Sequence, residues 1–257
     1  MGGPHGHSLH IAGSSALHRL PAHVKVVALL VFVGAVVSTP REEFWAFGLH
    51  LIVLACAIGV SQVPVGVLLR RLVIEVPFVV FAVLMPFVAV GPDTQVGPLS
   101  LSIAGLWGAW ALLAKGTLGA LASLLLAATT SPTELVGGLA RLRLPRRLVE
   151  ILAFMIRYLD VVTGELRRMR IARESRGFAG RSLAAWPVVA GSAGALFIRS
   201  FERGERVHLA MLSRGYTGEL HLGAGPAAAQ SAWLRALALP AAAVLVAGTA
   251  LGLGLLA

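Results

Sequence analysis

Apolar residues in this chain come in long runs parted by short polar breaks, and that pattern leaves few folds open. Val24–Val37 ends at Ser-Thr-Pro-Arg-Glu-Glu, and Phe44–Val60 ends at Ser-Gln-Val-Pro. Val76–Val90 ends at the turn-rich Gly-Pro-Asp-Thr-Gln-Val-Gly-Pro, and Leu101–Leu126 and Ala232–Ala257 complete the set. A helix crossing a bilayer needs about 20 apolar residues, and flanking residues extend the shorter runs to that length. Composition agrees: 57% of residues are apolar, 13% are charged, and the mean hydropathy is +0.82. A soluble domain carries about 25% charged residues. The expectation is an all-α polytopic membrane protein with about five transmembrane helices, the third bent by Pro77 and Pro86.

The position of the charges says more than their sum of +10. Fifteen of the 22 Lys/Arg residues fall between Arg141 and Arg214, against six acids, so that window alone carries 15 − 6 = +9. Basic residues gathered in the loops of a membrane protein mark its cytoplasmic side. No nucleic-acid motif accompanies them, so a topogenic or docking role is favoured over nucleic-acid binding. His18 and Arg19 precede the first run, Lys25 lies at its very start, and Arg70 and Arg71 follow the second. Both flanks are therefore expected inside, the two proline-containing breaks after the first and third runs outside, and the C-terminus outside. The start, Met-Gly-Gly-Pro-His-Gly-His-Ser-Leu-His, does not read as a cleaved signal peptide. A single cysteine, Cys56, rules out an internal disulfide and any multi-cysteine metal site.

Residues 131–230 differ in character from the runs around them. Ser131, Pro132 and Glu134 have the spacing of a helix N-cap, first position and capping-box partner, and Pro145 stops that helix. One long helix is predicted over about 145–175 and another over about 188–213, each with an apolar front half and a basic rear half. The organisation is thus a cytoplasmic tail (1–23), transmembrane helices 1–4 (24–130), a cytoplasmic coupling module (131–230) and a C-terminal transmembrane helix (231–257).

Those two helices end almost identically. Ala-Arg-Glu-Ser-Arg-Gly-Phe at Ala172–Phe178 and Ala-Met-Leu-Ser-Arg-Gly-Tyr at Ala210–Tyr216 lie 38 residues apart. Gly177 and Gly215 sit where a left-handed C′ residue closes a helix, and Arg176 and Arg214 place cations in a last turn. Capping alone accounts for the pattern about as well as a docking site does. Docking draws on what capping does not require, a planar guanidinium able to fork onto carboxylates of a partner.

The stretches Ser-Ala-Leu-His-Arg-Leu-Pro-Ala-His-Val-Lys (15–25), Leu-Leu-Arg-Arg-Leu-Val-Ile-Glu (68–75) and Leu-Ala-Ala-Thr-Thr-Ser-Pro-Thr-Glu-Leu (126–135) lead up to the two repeated ends. Together with Met155–Gly177 and Arg199–Gly218 they resemble the T component of energy-coupling-factor (ECF) transporters, and most closely the cobalt-type CbiQ family. The resemblance covers most of Ser15–Gly218 and departs at Leu-Pro-Ala-His-Val-Lys, where the family usually has an Asp-Pro-Arg-like stretch. It implies a non-catalytic scaffold of a bacterial or archaeal cell membrane, with the N-terminus and coupling module cytoplasmic. Its implied partners are two cytoplasmic ABC ATPase subunits, a membrane substrate-binding (S) subunit and a small accessory membrane subunit, within the lipid bilayer. Ser175, Arg176, Gly177 and Ser213, Arg214, Gly215 are then the contact motifs, one for each ATPase. ATP binds on those partners, and no cofactor is expected in this chain. Cobalt ion for cobalamin synthesis is the implied cargo, with nickel or a vitamin as the alternative.

No other residues compete strongly. Lys25 and Lys115 are the only lysines, and neither follows a Gly-x-x-x-x-Gly phosphate loop. His5, His7 and His10 form a Gly-rich candidate metal site, against which stands a flexible tail with incidental histidines. Lys115, in mid-span, calls for a partner, for which Glu75 is the candidate. Asp160 and Glu165 read as members of ion pairs along a helix. Gly116/Ala120 and Gly191/Ala195 have the spacing of close helix contacts. From a different class, a membrane-embedded enzyme with its site at the Arg-rich face would need a base or metal ligands near Arg167–Arg176.

Overall fold

The computed structural model describes residues 9–90, 92–96, 99–178, 186–217 and 228–256. These form two compact units, one of residues 1–142 with 225–257 and one of residues 143–224.

The first unit holds α1 (Ala22–Ser38), α2 (Phe44–Ser61) and α3 (Val65–Arg71), the last running through a 3-10 turn (Leu72–Glu75) into α4 (Val76–Val88). A two-stranded antiparallel hairpin follows, β1 (Asp93–Val96) with β2 (Leu99–Ser102), its register pairing Asp93 with Ser102 and Val96 with Leu99. Then come α5 (Ile103–Thr129) and α6 (Pro132–Arg141), and, after the second unit, α9 (Gln230–Leu256). The second unit holds α7 (Arg146–Glu174) and α8 (Trp186–Leu212). The protein is an all-α polytopic membrane protein, and the stretch expected as a plain turn adds the small hairpin. Three helices, α2, α5 and α9, are long and apolar enough to cross a bilayer, with α1 a shorter apolar helix. Pro77 falls in the first turn of α4, where its missing N–H costs nothing, so only Pro86 lies inside that helix.

α1, α2, α4, α5 and α9 are apolar on all sides, so no amphipathic stripe marks what they bury, and on α9 small residues mark it instead. α9 turns Ala236, Ala243, Ala247 and Ala250 inward, where they lie against a core built from Phe32, Val36, Phe47, Leu54, Leu121 and Leu125. Many other bulky residues face outward: Phe81 is 63% and Leu245 71% exposed, as at lipid-facing positions. α5 meets α4 at Gly105, where a Cβ would lie 2.6 Å from Pro86 Cα and 2.7 Å from the Met85 carbonyl oxygen. α6 crosses the start of α1 at Gly138, where a Cβ would come within 2.7 Å of the His23 nitrogen. α6 thus packs within the first unit, although the sequence groups it with the Arg-rich segment that follows. By contrast, Gly191 has open space where a Cβ would stand.

Both lysines act as caps. Lys25, 6% exposed on α1, donates to the Thr129 carbonyl at the end of α5 (2.8 Å). Lys115 on α5 donates to the Val37 carbonyl in the last turn of α1 (2.7 Å). Each thus satisfies an orphan carbonyl at the negative end of the other's helix, which makes a cation among these apolar helices tolerable. Lys115 therefore does not pair with Glu75, whose carboxylate accepts from Thr117 Oγ1 at 2.8 Å. The sequence offers an acid as the obvious partner, but the stronger local need is the backbone acceptor at a helix end.

Two further polar contacts tie the ends of this unit. Thr39 Oγ1 donates to the Ala35 carbonyl at 2.8 Å, so its oxygen accepts from His50 Nε2 at 3.0 Å. The described part of the N-terminal tail is pinned rather than flexible. The Ile11 amide donates to Ala128 O (2.8 Å), and Arg71 Nη1 donates to Leu9 O (2.6 Å).

Candidate functional site

The Arg-rich second unit carries the residues singled out by the repeat. α7 begins after Pro145 and runs 29 residues without a proline; α8 runs 27 residues with Pro187 in its first turn. Both stop at a glycine in the left-handed region, Gly177 with φ +75° and Gly215 with φ +85°. At the first end the Phe178 amide reaches back to Arg173 O (3.1 Å) and the Gly177 amide to Glu174 O (3.0 Å). At the second, Tyr216 reaches Met211 O and Gly215 reaches Leu212 O, both at 3.0 Å. These are the paired 6→1 and 5→2 bonds of a Schellman motif, made twice in the same register.

The serine of each repeat has a shared task too. Ser175 Oγ donates to Ala172 O and Ser213 Oγ to Ala210 O, each at 3.0 Å. Alanine, serine and glycine of the two copies are thus each matched by an equivalent hydrogen bond or backbone angle. The arginines are the exception. Arg176 and Arg214 are exposed, and among the described residues neither guanidinium has a hydrogen-bond or ion-pair partner. The cap sets where each side chain leaves the helix and leaves its charge available. The six predicted residues therefore form two separate helix ends rather than one cluster.

Behind the ends, Glu165 on α7 accepts from Arg168 Nη2 (2.6 Å) on its own helix and from Arg199 Nη1 (2.5 Å) on α8. Arg168 foremost, with Arg199 beside it, holds the Glu165 carboxyl below the usual carboxylate range. The same-helix pair is the one the i,i+3 spacing predicts; the bond to Arg199, 34 residues on, is not visible in sequence. Arg170 Nε donates to Glu174 Oε1 at 2.9 Å, a further i,i+4 pair. A cleft of about 560 Å³ lies between α7 and α8, lined by Phe154, Tyr158, Leu196, Arg203 and Val207 among others.

A metal or catalytic site finds little material. His5 and His7 lie outside the described residues. His10 stands with its ring 6.3 Å from that of His18, edge to face. Among the described residues no three His, Cys, Asp or Glu side chains group as metal ligands. Glu165 and Glu174, the acids nearest Arg167–Arg176, are both in ion pairs.

Comparison with known proteins adds a family. Residues 13–222 match the model of CbiQ, described as cobalt transport protein. The chain is 26% identical over 227 residues to the energy-coupling factor transporter transmembrane protein EcfT of Listeria innocua, covering 81% of this chain and 83% of that one. The EcfT of Bacillus subtilis is 25% identical over 228 residues, with the same two coverages of 81% and 83%. An uncharacterized protein of Methanocaldococcus jannaschii is 26% identical over 217 residues, 80% of this chain and 73% of its own length.

Proposed function

Because the chain belongs to the CbiQ family of cobalt transport proteins, we propose that it is the transmembrane component of an ECF transporter, joining two cytoplasmic ATPase subunits to a substrate-binding membrane subunit. The observation that carries this reading is the pair of equivalent helix ends, each presenting from a fixed turn an exposed arginine with no partner among the described residues. An ATPase socket lined by carboxylates would take such a guanidinium in a forked, charge-assisted contact. Ser175, Arg176 and Gly177 serve one ATPase; Ser213, Arg214 and Gly215 serve the other. ATP is bound and hydrolysed on those partners, and this chain is a non-catalytic scaffold. The ion pairing of Glu165 and Glu174 supports that assignment over an active site at the same face.

The basic second unit and the N-terminus lie in the cytoplasm on this reading, as the excess of arginine on the second unit and the pair Arg19 and Lys25 at the first helix favour. The cargo is cobalt ion, in line with the family's description, and its use in cobalamin synthesis follows from that cargo. Nickel or a vitamin would be carried by the same scaffold with a different substrate subunit. Uptake of labelled cobalt by the reconstituted complex, against nickel and against a complex lacking the substrate subunit, tests the cargo.

The docking assignment has its own test. The double variant R176E/R214E should insert in the membrane as the wild type does and fail to co-purify with the ATPases. Undiminished co-purification would sink it.

A further inference from the structure

We infer that the two helix ends, though built on one backbone plan, take sockets of different chemistry: the end of α7 an acid-rich one, and the end of α8 an apolar one with a single acidic point. This rests on the docking reading above and adds to it which chemistry each partner surface must offer.

The 38-residue offset allows a position-by-position comparison. Residues 167–176 hold five arginines and one glutamate, a net 5 − 1 = +4; their counterparts 205–214 hold two arginines and one glutamate, a net 2 − 1 = +1 with His208 neutral. The difference lies in the turns just behind the shared Ser-Arg-Gly. Arg167 stands where the second copy has Glu205, Arg170 where it has His208, Arg173 where it has Met211, and Glu174 where it has Leu212. The first of these reverses the charge, and the three nearest the tip set polar side chains against an imidazole and two apolar side chains.

The surroundings sharpen this contrast. Arg173 Nε and Nη1, shielded from solvent, have no acceptor among the described residues, so this end carries a second guanidinium charge, beside that of Arg176, that its own helix does not answer. At the second end Leu209 is 64% and Leu212 49% exposed, beside the His208–Tyr216 edge-to-face pair (6.4 Å). An apolar side chain held in water at a helix tip gains when a partner covers it, while a cluster of arginines gains from carboxylates. Charge complementarity therefore commits the first end to a surface with several Asp or Glu residues. The second end is committed to a mostly apolar surface with one carboxylate for Arg214.

Salt separates the two. Raising ionic strength from 0.1 to 1 M shortens the screening length from about 10 to about 3 Å, weakening exposed charge contacts and sparing apolar burial. Full-length chain in nanodiscs would be immobilised and its affinity for the ATPase subunits measured at both salts. R214E leaves the complex held by the first end, and its affinity should fall on the order of tenfold at high salt. R176E leaves the second end, and its affinity should change less than about twofold. In the otherwise intact chain, R170Q/R173Q should flatten the salt dependence, while L209Q/L212Q should weaken binding at both salts and preserve the slope. Equal salt responses of the two single-end complexes, or the reverse order, would overturn the inference and leave the docking reading standing. A wild-type chain that binds no ATPase at either salt would overturn both.

Discussion

Single atoms decide the two most expensive residues of the first unit. A lysine among apolar helices needs acceptors, and a helix C-terminus packed against its neighbours needs donors; Lys25 and Lys115 answer both needs, each on the other's helix. Lys25→Met keeps the stem and removes the donor, leaving the Thr129 carbonyl unpaired at a site that excludes water. The loss should be about 1–3 kcal/mol, read as a lower thermal midpoint in detergent, with the helical content of the folded protein unchanged. The need for an acceptor near Lys115 was legible in the sequence, and its identity was not. A carbonyl acceptor is written at every position alike, and only the end of a helix makes it available.

At the scale of the element, local chemistry was well legible and long-range pairing was not. Ser131 Oγ accepts from the Glu134 amide at 3.3 Å while Glu134 Oε2 takes the Ser131 amide at 3.1 Å, the reciprocal box that the Ser-Pro-Thr-Glu spacing announces. The glycine ends of α7 and α8 were equally readable, because a Schellman turn is set by residues within one turn of each other. The hairpin at residues 93–102 was missed, since its few paired residues sit in a stretch dominated by turn formers. Gly105 and Gly138 were missed for a different reason: in a chain this rich in glycine, spacing cannot tell a close helix crossing from an idle one. The join between α7 and α8 through Glu165 and Arg199 required the fold. Because the Glu165 carboxyl is depressed in the folded protein, its contribution is present above the ordinary value of 4.5 and is lost as pH falls through the lowered one. Paired labels on α7 and α8 should therefore report an unchanged distance from neutral pH down to about 5 and separation only in stronger acid. Glu165→Gln should loosen the pair already at neutral pH, and a distance insensitive to both treatments would remove the clasp from consideration.

For the whole molecule, an apolar helical unit and a basic unit with two exposed guanidinium ends divide the work expected of a transporter scaffold. The R176E/R214E chain should still reach the membrane and, supplied with substrate subunit and ATPases, should support no energised cobalt uptake above the background of the substrate subunit alone. The composition made the membrane class plain and the charge map made the basic unit plain, whereas the packing of α6 on α1 was hidden because its helix signal resembles those that follow. The clasp at Glu165 and Arg199 has one more consequence, a mechanical one. From that common fulcrum Arg176 lies 176 − 165 = 11 residues along one helix and Arg214 lies 214 − 199 = 15 along the other. At 1.5 Å per residue these are lever arms of about 16 and about 22 Å, each of fixed length because its last turn is locked. An equal rotation of the two helices about the clasp would then carry one tip roughly a third farther than the other, so equal displacements of the two tips would turn α7 through the larger angle.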